Sequence, residues 1–195
     1  SDNLEKLTGY YGTLKPEYKP GEVLIPVVEE FKGTEKHSGI GRLRKLRVDI
    51  IGENKKGGSE LTPAFGVIGK DSGSFLQGVV SSAEKLLAAS KKGKYRNWKA
   101  TAHLSMSHAW HAGRSANLAL AAAFFCEMLK AEETAEFFRM NPAVCISGDV
   151  DEFGNVLPVE GESLELKTEA AFFSWVQVLV VPMAQLEMVQ KHVDR

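Results

Sequence analysis

Alternating apolar and polar positions predict extended structure in much of the first half of the chain. Residues 43–53, "LRKLRVDIIGE", alternate in this way and are rich in β-branched side chains, which predicts a strand. The polar stretch "NKKGGS" then predicts a turn, and "PAFGVIG" predicts a return to extended structure, so that these three segments predict a hairpin-like unit. Residues 98–110, "WKATAHLSMSHAW", place apolar side chains at every second position over most of their length and predict a strand with one buried face.

Helical spacing of apolar residues predicts two long helices. Between Phe75 and Ala89 the apolar residues recur at helical spacing, with Ser74 as a candidate N-cap and the stretch "KKGK" as a stop signal. From Ala116 to Leu129 nearly every residue is apolar, which is typical of a helix that is buried on most of its sides. This second helix is predicted to lie in the centre of the core.

The remaining segments complete an order of elements that predicts the fold class. Strands are predicted at "AVCIS", "VLPV" and "VQVLVVP", a helix at "KTEAAFFSW" beginning with Lys167, a final helix at "MAQLEMVQKHV", and a turn around Gly148 and Gly154. The resulting order β, β, α, β, α, β, β, α, β, α predicts a single α+β domain of mixed α/β type. Residues 1–35 are rich in Gly, Pro and Tyr and predict an irregular N-terminal arm or linker, which leaves residues 36–195 for the domain.

Composition narrows the class of protein. The chain of 195 residues is 44% hydrophobic and 25% charged with a net charge of -1, as in ordinary globular domains. No apolar run approaches about 20 residues without a polar interruption, so no membrane span is predicted. Cys126 and Cys145 lie in apolar runs without CxxC spacing, which predicts buried thiols in a reducing compartment and therefore a cytoplasmic protein.

Charge is distributed unevenly along the chain. Residues 1–99 contain 18 Lys and Arg against 12 Asp and Glu, whereas residues 100–195 contain 6 against 13. The basic residues concentrate at 42–47, "RLRKLR", and at 91–99, "KKGKYRNWK", where two interleaved aromatic residues resemble a surface that binds nucleic acid. Basic residues that alternate with apolar ones are equally expected on the solvent-facing side of a strand. Both interpretations stay open at this point.

One serine lies directly before the predicted core helix. In "HAGRSA", Gly113 allows a sharp turn, and the amides of the first helical turn are predicted to be free donors at the positive end of the helix dipole. The hydroxyl of Ser115 could attack a carbonyl carbon there, while backbone N–H groups from Arg114 to Ala116 hold the oxyanion that forms. Serine is also a preferred N-cap residue, and capping alone would explain this position.

A nucleophilic serine needs a base, and the sequence offers two kinds of candidate. His103, His108 and His111 lie just upstream, but no carboxylate is identified that would orient any of them. Lys167 lies at the start of a predicted helix, where a cation opposes the helix dipole. Burial at such a position penalises the ammonium form and makes a neutral amine available as general base, with Ser147 as a candidate hydrogen-bond partner. The alternative is an ordinary surface lysine.

Two stretches contain partial metal-site patterns. His108 and His111 lack clear third and fourth partners for a metal. Residues 149–160 match the spacing of a calcium loop, but Phe153 occupies a ligand position and Pro158 lies inside the loop. We therefore predict no metal site.

Taken together, these stretches resemble the proteolytic domain of Lon-type Ser-Lys proteases. The resemblance rests on Ser-Ala at the head of an Ala-rich helix, "CISGDVDEFGNVLPV", Lys-x-x-Ala-Ala, and a β-branched strand that ends in Val-Pro, and it spans residues 66–185. In that family the catalytic serine opens a helix in a Pro-Ser-Ala-Gly context, Thr-Gly-Glu and Gly-x-Val-Leu-Pro follow, and the catalytic lysine begins a Lys-x-x-Ala-Ala helix. Arg114 and Asn117 stand where the family has proline and glycine.

The resemblance implies a serine endopeptidase with a Ser-Lys catalytic dyad. Matched by motif, Ser115 resembles the nucleophile and Lys167 the general base. Ser147 takes the place of the threonine in Thr-Gly-Glu, a hydroxyl that positions the lysine. Arg114 and Ala116 flank the position where the oxyanion and the substrate would lie.

The resemblance also implies partners. Members of the family act on polypeptides, usually follow an AAA+ ATPase in the same protein and assemble as hexamers, so a homo-oligomer and an upstream AAA+ module are expected. The chain contains no GxxxxGK[ST] motif, so ATP and Mg would act only through such a module, and no cofactor is expected in this chain. Two alternatives are a viral polyprotein-processing Ser-Lys protease and a non-proteolytic Lon-like module that serves assembly or DNA binding.

Overall fold

The protein is a mixed α/β structure built on a six-stranded sheet. The computed structural model describes residues 18–30, 39–65, 67–68, 72–90, 94–105, 111–133, 137–159 and 163–194. The strands in these ranges are β1 (Glu22–Glu30), β2 (Gly39–Glu53), β3 (Glu60–Pro63), β4 (Val67–Ile68), β5 (Trp98–Leu104), β6 (His111–Ala112), β7 (Val144–Ile146), β8 (Asp149–Val150), β9 (Val156–Leu157) and β10 (Val178–Val180). The helices there are α1 (Ser72–Ser90), α2 (Asn117–Ala131), α3 (Leu164–Phe172) and α4 (Leu186–Val193), and a 3₁₀ turn (Met183–Gln185) precedes α4.

The main sheet has the strand order β10-β7-β1-β2-β5-β3. The pairs β1–β2 and β2–β5 are antiparallel, whereas β1–β7, β7–β10 and β3–β5 are parallel. Two small two-stranded sheets, β4–β6 and β8–β9, complete the pairing of the described residues. The predicted mixed α/β class is therefore confirmed.

The predicted hairpin-like unit of residues 43–53 and "PAFGVIG" is wrong. β2 pairs with neither β3 nor β4, because β5 occupies the edge of β2 and takes β3 as its parallel neighbour on the other side, while β4 pairs with β6. The backbone N–H of Asn54 donates to the carbonyl of Asn97 at 2.7 Å, so the chain is still bound to the segment before β5 where it leaves β2. A long-range pairing has replaced the local one.

The predicted N-terminal arm is wrong for residues 22–30, which form a strand inside the sheet. β1 lies between β2 and β7, with Val23 and Ile25 buried in the core on one face and Leu24 buried on the other. A strand that is covered on both faces has a continuous apolar sequence without alternation. This explains why "VLIPVV" did not show the period of a half-buried strand.

Helices cover both faces of the sheet. α1 and α2 pack against each other and against the face that carries Val23 and Leu46, and this side holds the larger core cluster. α3 packs on the opposite face of β1 and β2, where Ala171 joins Leu24 and Cys145. The predicted core helix is confirmed, because ten residues of α2 are buried.

Helix boundaries differ from the predicted ones by a few residues. α1 begins at Ser72, so Ser74 lies inside the first turn and is not the N-cap. α3 begins at Leu164, which makes Lys167 the fourth residue of the helix. In the described part of the chain no helix is long and apolar enough to cross a membrane.

Both cysteines are free and buried, as predicted. Burial raises the pKa of Cys126 to about 11 and that of Cys145 to about 12, because an apolar environment disfavours the thiolate. The two thiols are therefore protonated and poorly nucleophilic at neutral pH.

Candidate functional site

The candidate site lies at the carboxyl ends of two parallel strands. β7 and β10 are neighbours and end at Ile146 and Val180. The N–H of Ser147 donates to the carbonyl of Val180 at 2.9 Å, which extends the ladder by one residue. In open α/β sheets, ligands bind just beyond the carboxyl ends of parallel strands. The residues that follow these two strands are therefore candidates for binding or catalysis.

Ser115 lies in a turn before α2 and is not the N-cap of that helix. The N-cap position belongs to Ala116, with φ -91° and ψ -7°, and no side chain caps the helix there. The N–H of Asn117 donates to the carbonyl of Arg114 at 3.0 Å, which closes the turn around Ser115. Gly113, with φ +88°, supplies the left-handed conformation that precedes this turn. The capping interpretation of Ser115 is wrong.

The amides around Ser115 divide into two groups. The N–H of Leu118 donates to the carbonyl of Gly148 at 3.0 Å, and the N–H of Gly148 donates to the carbonyl of Ser115 at 2.8 Å. The first-turn amides of Asn117 and Leu118, which were predicted to be free, are thus occupied. Within the described ranges, no hydrogen bond uses the N–H of Ser115, the N–H of Ala116 or the hydroxyl of Ser115. These groups are available to a ligand.

One carboxylate binds both sides of the Ser115 turn. Asp149 accepts a hydrogen bond from Nδ2 of Asn117 at 2.7 Å, and its other oxygen lies 3.0 Å from Nε of Arg114. Asp149 and Asn117 are both buried. Neither residue was predicted to belong to the site. The available signal was an aspartate just beyond a strand and an asparagine in an otherwise apolar helix, two polar groups that need partners when they are buried.

Lys167 is buried on the side of α3 that faces the sheet. Only 5% of its surface is exposed, and Leu164, Thr168 and Ala171 on the same helical face are buried as well. The surface-lysine interpretation is therefore wrong. Lys167 is therefore a buried titratable side chain on a helix that packs on the sheet.

The hydroxyl partner of Lys167 is Ser163. Nζ of Lys167 donates to Oγ of Ser163 at 2.9 Å, four residues earlier in the chain. Ser147 is fully buried, and its Oγ has no hydrogen-bond partner in the described part of the chain, so the predicted Ser147–Lys167 hydrogen bond is not formed. The physical reason is local, since a helical side chain leans towards the preceding turn. The earlier start of α3 brings Ser163 into reach.

The turn after β10 contacts Gly148, beside the Ser115 turn, and Val159, in the chain that leads to α3. A Cβ placed on Gly148 would lie 3.4 Å from Pro182, so the chain beside Ser115 runs close to this turn. The amide side chain of Gln185 donates to the carbonyl of Val159 at 2.8 Å and accepts from its N–H at 3.0 Å. Val159 lies four residues before Ser163, so the chain from Pro182 to Gln185 contacts both Gly148, beside the Ser115 turn, and the stretch that precedes α3.

Of the three candidate histidines, His103 is the one whose side chain the structure describes. His103 lies on the exposed side of β5, 3.5 Å from Asp49. His108 lies outside the described residues, and of His111 only the strand β6 is described. The described ranges contain no group of three or more His, Cys, Asp or Glu residues that could hold a metal ion. Asp151 of the calcium-like stretch instead accepts hydrogen bonds from the N–H groups of Phe153 and Asn155 within its own turn.

Several basic side chains of the two segments pair with neighbouring acids in the part of the chain that the structure describes. Arg42 and Arg44 both pair with Glu29 across the β1–β2 ladder. In the second segment, Arg96 stacks 4.7 Å above the ring of Trp98, and both side chains contact Glu132, which is buried. For residues 42–47, which lie in β2, these pairs agree with the solvent-facing side of a strand.

The comparisons with known proteins assign no family to this chain. No protein-family model matches the chain, and no curated protein matches it either. The likeness to Lon-type proteolytic domains therefore rests on the motifs around Ser115, Ser147 and Lys167.

Proposed function

We propose that this chain is the proteolytic domain of a Lon-type serine endopeptidase in which Ser115 and Lys167 form the catalytic dyad. One observation carries the proposal. Lys167 is buried, and the turn after β10 contacts both Gly148, whose N–H binds the carbonyl of Ser115, and Val159, which precedes the helix of Lys167. Burial of a lysine is costly and is characteristic of sites that use the neutral amine.

The first half of the reaction forms an acyl-enzyme. The neutral amine of Lys167 takes the proton of the Ser115 hydroxyl as Oγ bonds to the carbonyl carbon of a peptide, and the π electrons of that carbonyl move to its oxygen. When the intermediate collapses, the C–N bond breaks. The departing amine takes the proton from Lys167, and the substrate's acyl group stays on Ser115 as an ester.

The second half of the reaction releases the acyl group. Lys167 takes a proton from a water molecule, whose oxygen attacks the ester carbon. The bond between that carbon and Oγ of Ser115 then breaks, and Oγ regains a proton from Lys167. The free carboxylic acid leaves, and both residues return to their starting states.

The oxyanion is held by backbone groups in this proposal. The N–H groups of Ser115 and Ala116 form no other hydrogen bond within the described ranges, so they can donate to a developing negative charge without first breaking a contact. The lysine is positioned by Ser163 in this proposal, because Nζ of Lys167 donates to its hydroxyl at 2.9 Å, whereas the buried hydroxyl of Ser147 has no partner among the described residues.

The proposal includes the assembly that the resemblance implies. The substrate is a polypeptide, the domain works in the cytoplasm as a homo-oligomer of hexameric type, and unfolding is supplied by an AAA+ module that uses ATP and Mg. The chain contributes the peptidase site and binds no cofactor of its own.

The proposal is tested by cleavage of fluorescein-labelled casein from about pH 6 to about pH 10. We expect the activity to rise with pH, because the reaction needs the unprotonated amine of Lys167. Ser115→Ala and Lys167→Ala should each lower kcat by at least about 1,000-fold. Lys99→Ala is the matched control, since Lys99 is an exposed lysine on β5, away from β7 and β10 in the strand order.

Three outcomes would overturn the proposal. Retained cleavage by Ser115→Ala would assign the activity to another group. Cleavage confined to a terminus of the chain itself would favour a polyprotein-processing enzyme. Failure of the folded wild-type protein to cleave casein at any pH would favour a non-proteolytic module.

A further inference from the structure

We infer that Asp149 is a positioning residue, whose carboxylate holds the turn that carries Ser115 by binding Arg114 and Asn117 at the same time. The inference rests on the proposed function, in which Ser115 is the nucleophile. It adds a role for three residues that are not part of the dyad.

The local chain does little to fix the Ser115 turn. The turn lies outside α2, the helix has no side-chain cap, and the turn is preceded by an exposed glycine with positive φ. The turn itself is closed by one backbone hydrogen bond, from Asn117 to the carbonyl of Arg114. Contacts from another part of the chain must therefore define where the Ser115 hydroxyl points.

Asp149 supplies those contacts from the other side of the turn. Oδ1 accepts from Nδ2 of Asn117 at 2.7 Å and from the N–H of Val150 at 2.7 Å, while Oδ2 lies 3.0 Å from Nε of Arg114. The two side chains that bind this carboxylate come from the residues immediately before and shortly after Ser115. The hydrogen bond from the N–H of Gly148 to the carbonyl of Ser115 also holds the turn against the chain that carries Asp149.

Burial makes the two contacts unequal. The side chains of Asp149 and Arg114 are 9% and 48% exposed, and Asn117 is fully buried. A hydrogen bond to a buried carboxylate is strong, and loss of one partner leaves the charge undercompensated. Asn117 thus anchors the start of α2, whereas Arg114 restrains the more exposed half of the turn. A nucleophile displaced by about 1 Å can lose on the order of 100-fold in rate, so this restraint acts on kcat.

The test compares Asp149→Asn, Arg114→Gln and the double variant in casein cleavage. The amide that replaces the Asp149 carboxylate keeps an oxygen for Asn117 and Val150 but turns an N–H donor towards Arg114, so it breaks one contact of the pair. We expect each single variant to lower kcat by roughly 10- to 100-fold with KM nearly unchanged. The double variant should be no worse than the singles, because both remove the same contact. Arg114→Lys, which keeps the charge, should recover part of the loss.

Asp151→Asn is the matched control, because Asp151 is a nearby carboxylate that binds only within its own turn among the described residues. It should leave kcat unchanged. A second measurement, amide hydrogen exchange at Gly148 and Leu118, does not depend on activity and should become faster in Asp149→Asn. A wild-type kcat in Asp149→Asn, losses that appear in KM alone, additive losses in the double variant, or unchanged exchange would each overturn the inference. If the wild-type protein cleaves nothing but amide exchange is still faster in Asp149→Asn than in wild type, the proposed function is overturned and the positioning role is kept.

Discussion

Ser115 and Lys167 are held in place by two different kinds of structure. The Ser115 turn is bound to residues that lie more than thirty positions later in the chain, at Gly148 and Asp149. Lys167 is bound to Ser163, four positions earlier in its own helical region. The described contacts of the Ser115 turn therefore come from a distant part of the chain, while the described hydrogen bond of Lys167 is local.

This difference indicates which packing contacts hold the Ser115 turn and which hold Lys167. The serine segment is sensitive to any change in how β7 and its following loop meet α2. The burial of Lys167 depends on how closely α3 lies on the sheet, because Lys167 belongs to the side of α3 that is buried. Two glycines control these two approaches.

The largest expected effect is a difference in stability between Gly41→Ala, beside α3, and Gly148→Ala, beside the Ser115 turn. A Cβ on Gly41 would overlap the backbone carbonyl of Leu166, whereas a Cβ on Gly148 would lie 2.9 Å from Cδ2 of Leu118, the end of a flexible side chain. We expect Gly41→Ala to lower the free energy of unfolding by about 3 kcal/mol or more and Gly148→Ala by about 1 kcal/mol. Urea denaturation measures both values.

Gly52→Ala is the control for these variants. A Cβ on Gly52 would meet nothing within 4 Å, so this change should cost little. Equal losses for Gly41→Ala and Gly148→Ala would contradict the idea that a backbone contact resists more than a side-chain contact.

A smaller effect distinguishes the two serines. Ser115→Ala should change the free energy of unfolding by no more than about 0.5 kcal/mol, because the hydroxyl has no hydrogen bond within the described ranges. Ser163→Ala should cost about 1–3 kcal/mol, because it removes an acceptor from a buried amine. Thermal and urea unfolding of the two variants give the comparison. A loss of about 1 kcal/mol in Ser115→Ala would contradict this expectation, because it would mean that the hydroxyl makes a stabilising hydrogen bond.

The smallest effect concerns the reactivity of the two buried thiols, Cys126 on α2 and Cys145 on β7. The raised pKa values, about 11 for Cys126 and about 12 for Cys145, keep both thiols protonated at neutral pH, and reactivity should appear only as the pH rises towards those values. Native protein should therefore react very slowly with iodoacetamide near pH 8, with Cys126 ahead of Cys145. Mass spectrometry of the alkylated peptides measures the rates, and denatured protein gives the rate of the exposed thiols.

The same labelling tests whether the faces open separately. In Gly41→Ala we expect Cys145 to react faster while Cys126 is unaffected, because Cys145 lies in the cluster under α3. Equal acceleration of both thiols would mean that the damage spreads through the whole sheet.

Strong periodicity was enough to predict several elements. The alternation in β5 and the apolar run of α2 predicted both the element and its buried side. β1 was missed because a strand covered on both faces has no alternation. The hairpin was wrong because β2 found its partner far along the chain, in β5, and no local signal records such a choice.

The sequence by itself predicted the buried face of β5, the burial of α2, and a serine before that helix and a lysine near the start of another. Burial patterns follow from the periods of helix and strand, which are local properties of the chain. Only the tertiary structure decided that Asp149 binds Arg114 and Asn117, and that Ser147 lacks a partner among the described residues. These contacts depend on strand order and on how closely helices approach the sheet, which are set by the packing of the whole molecule.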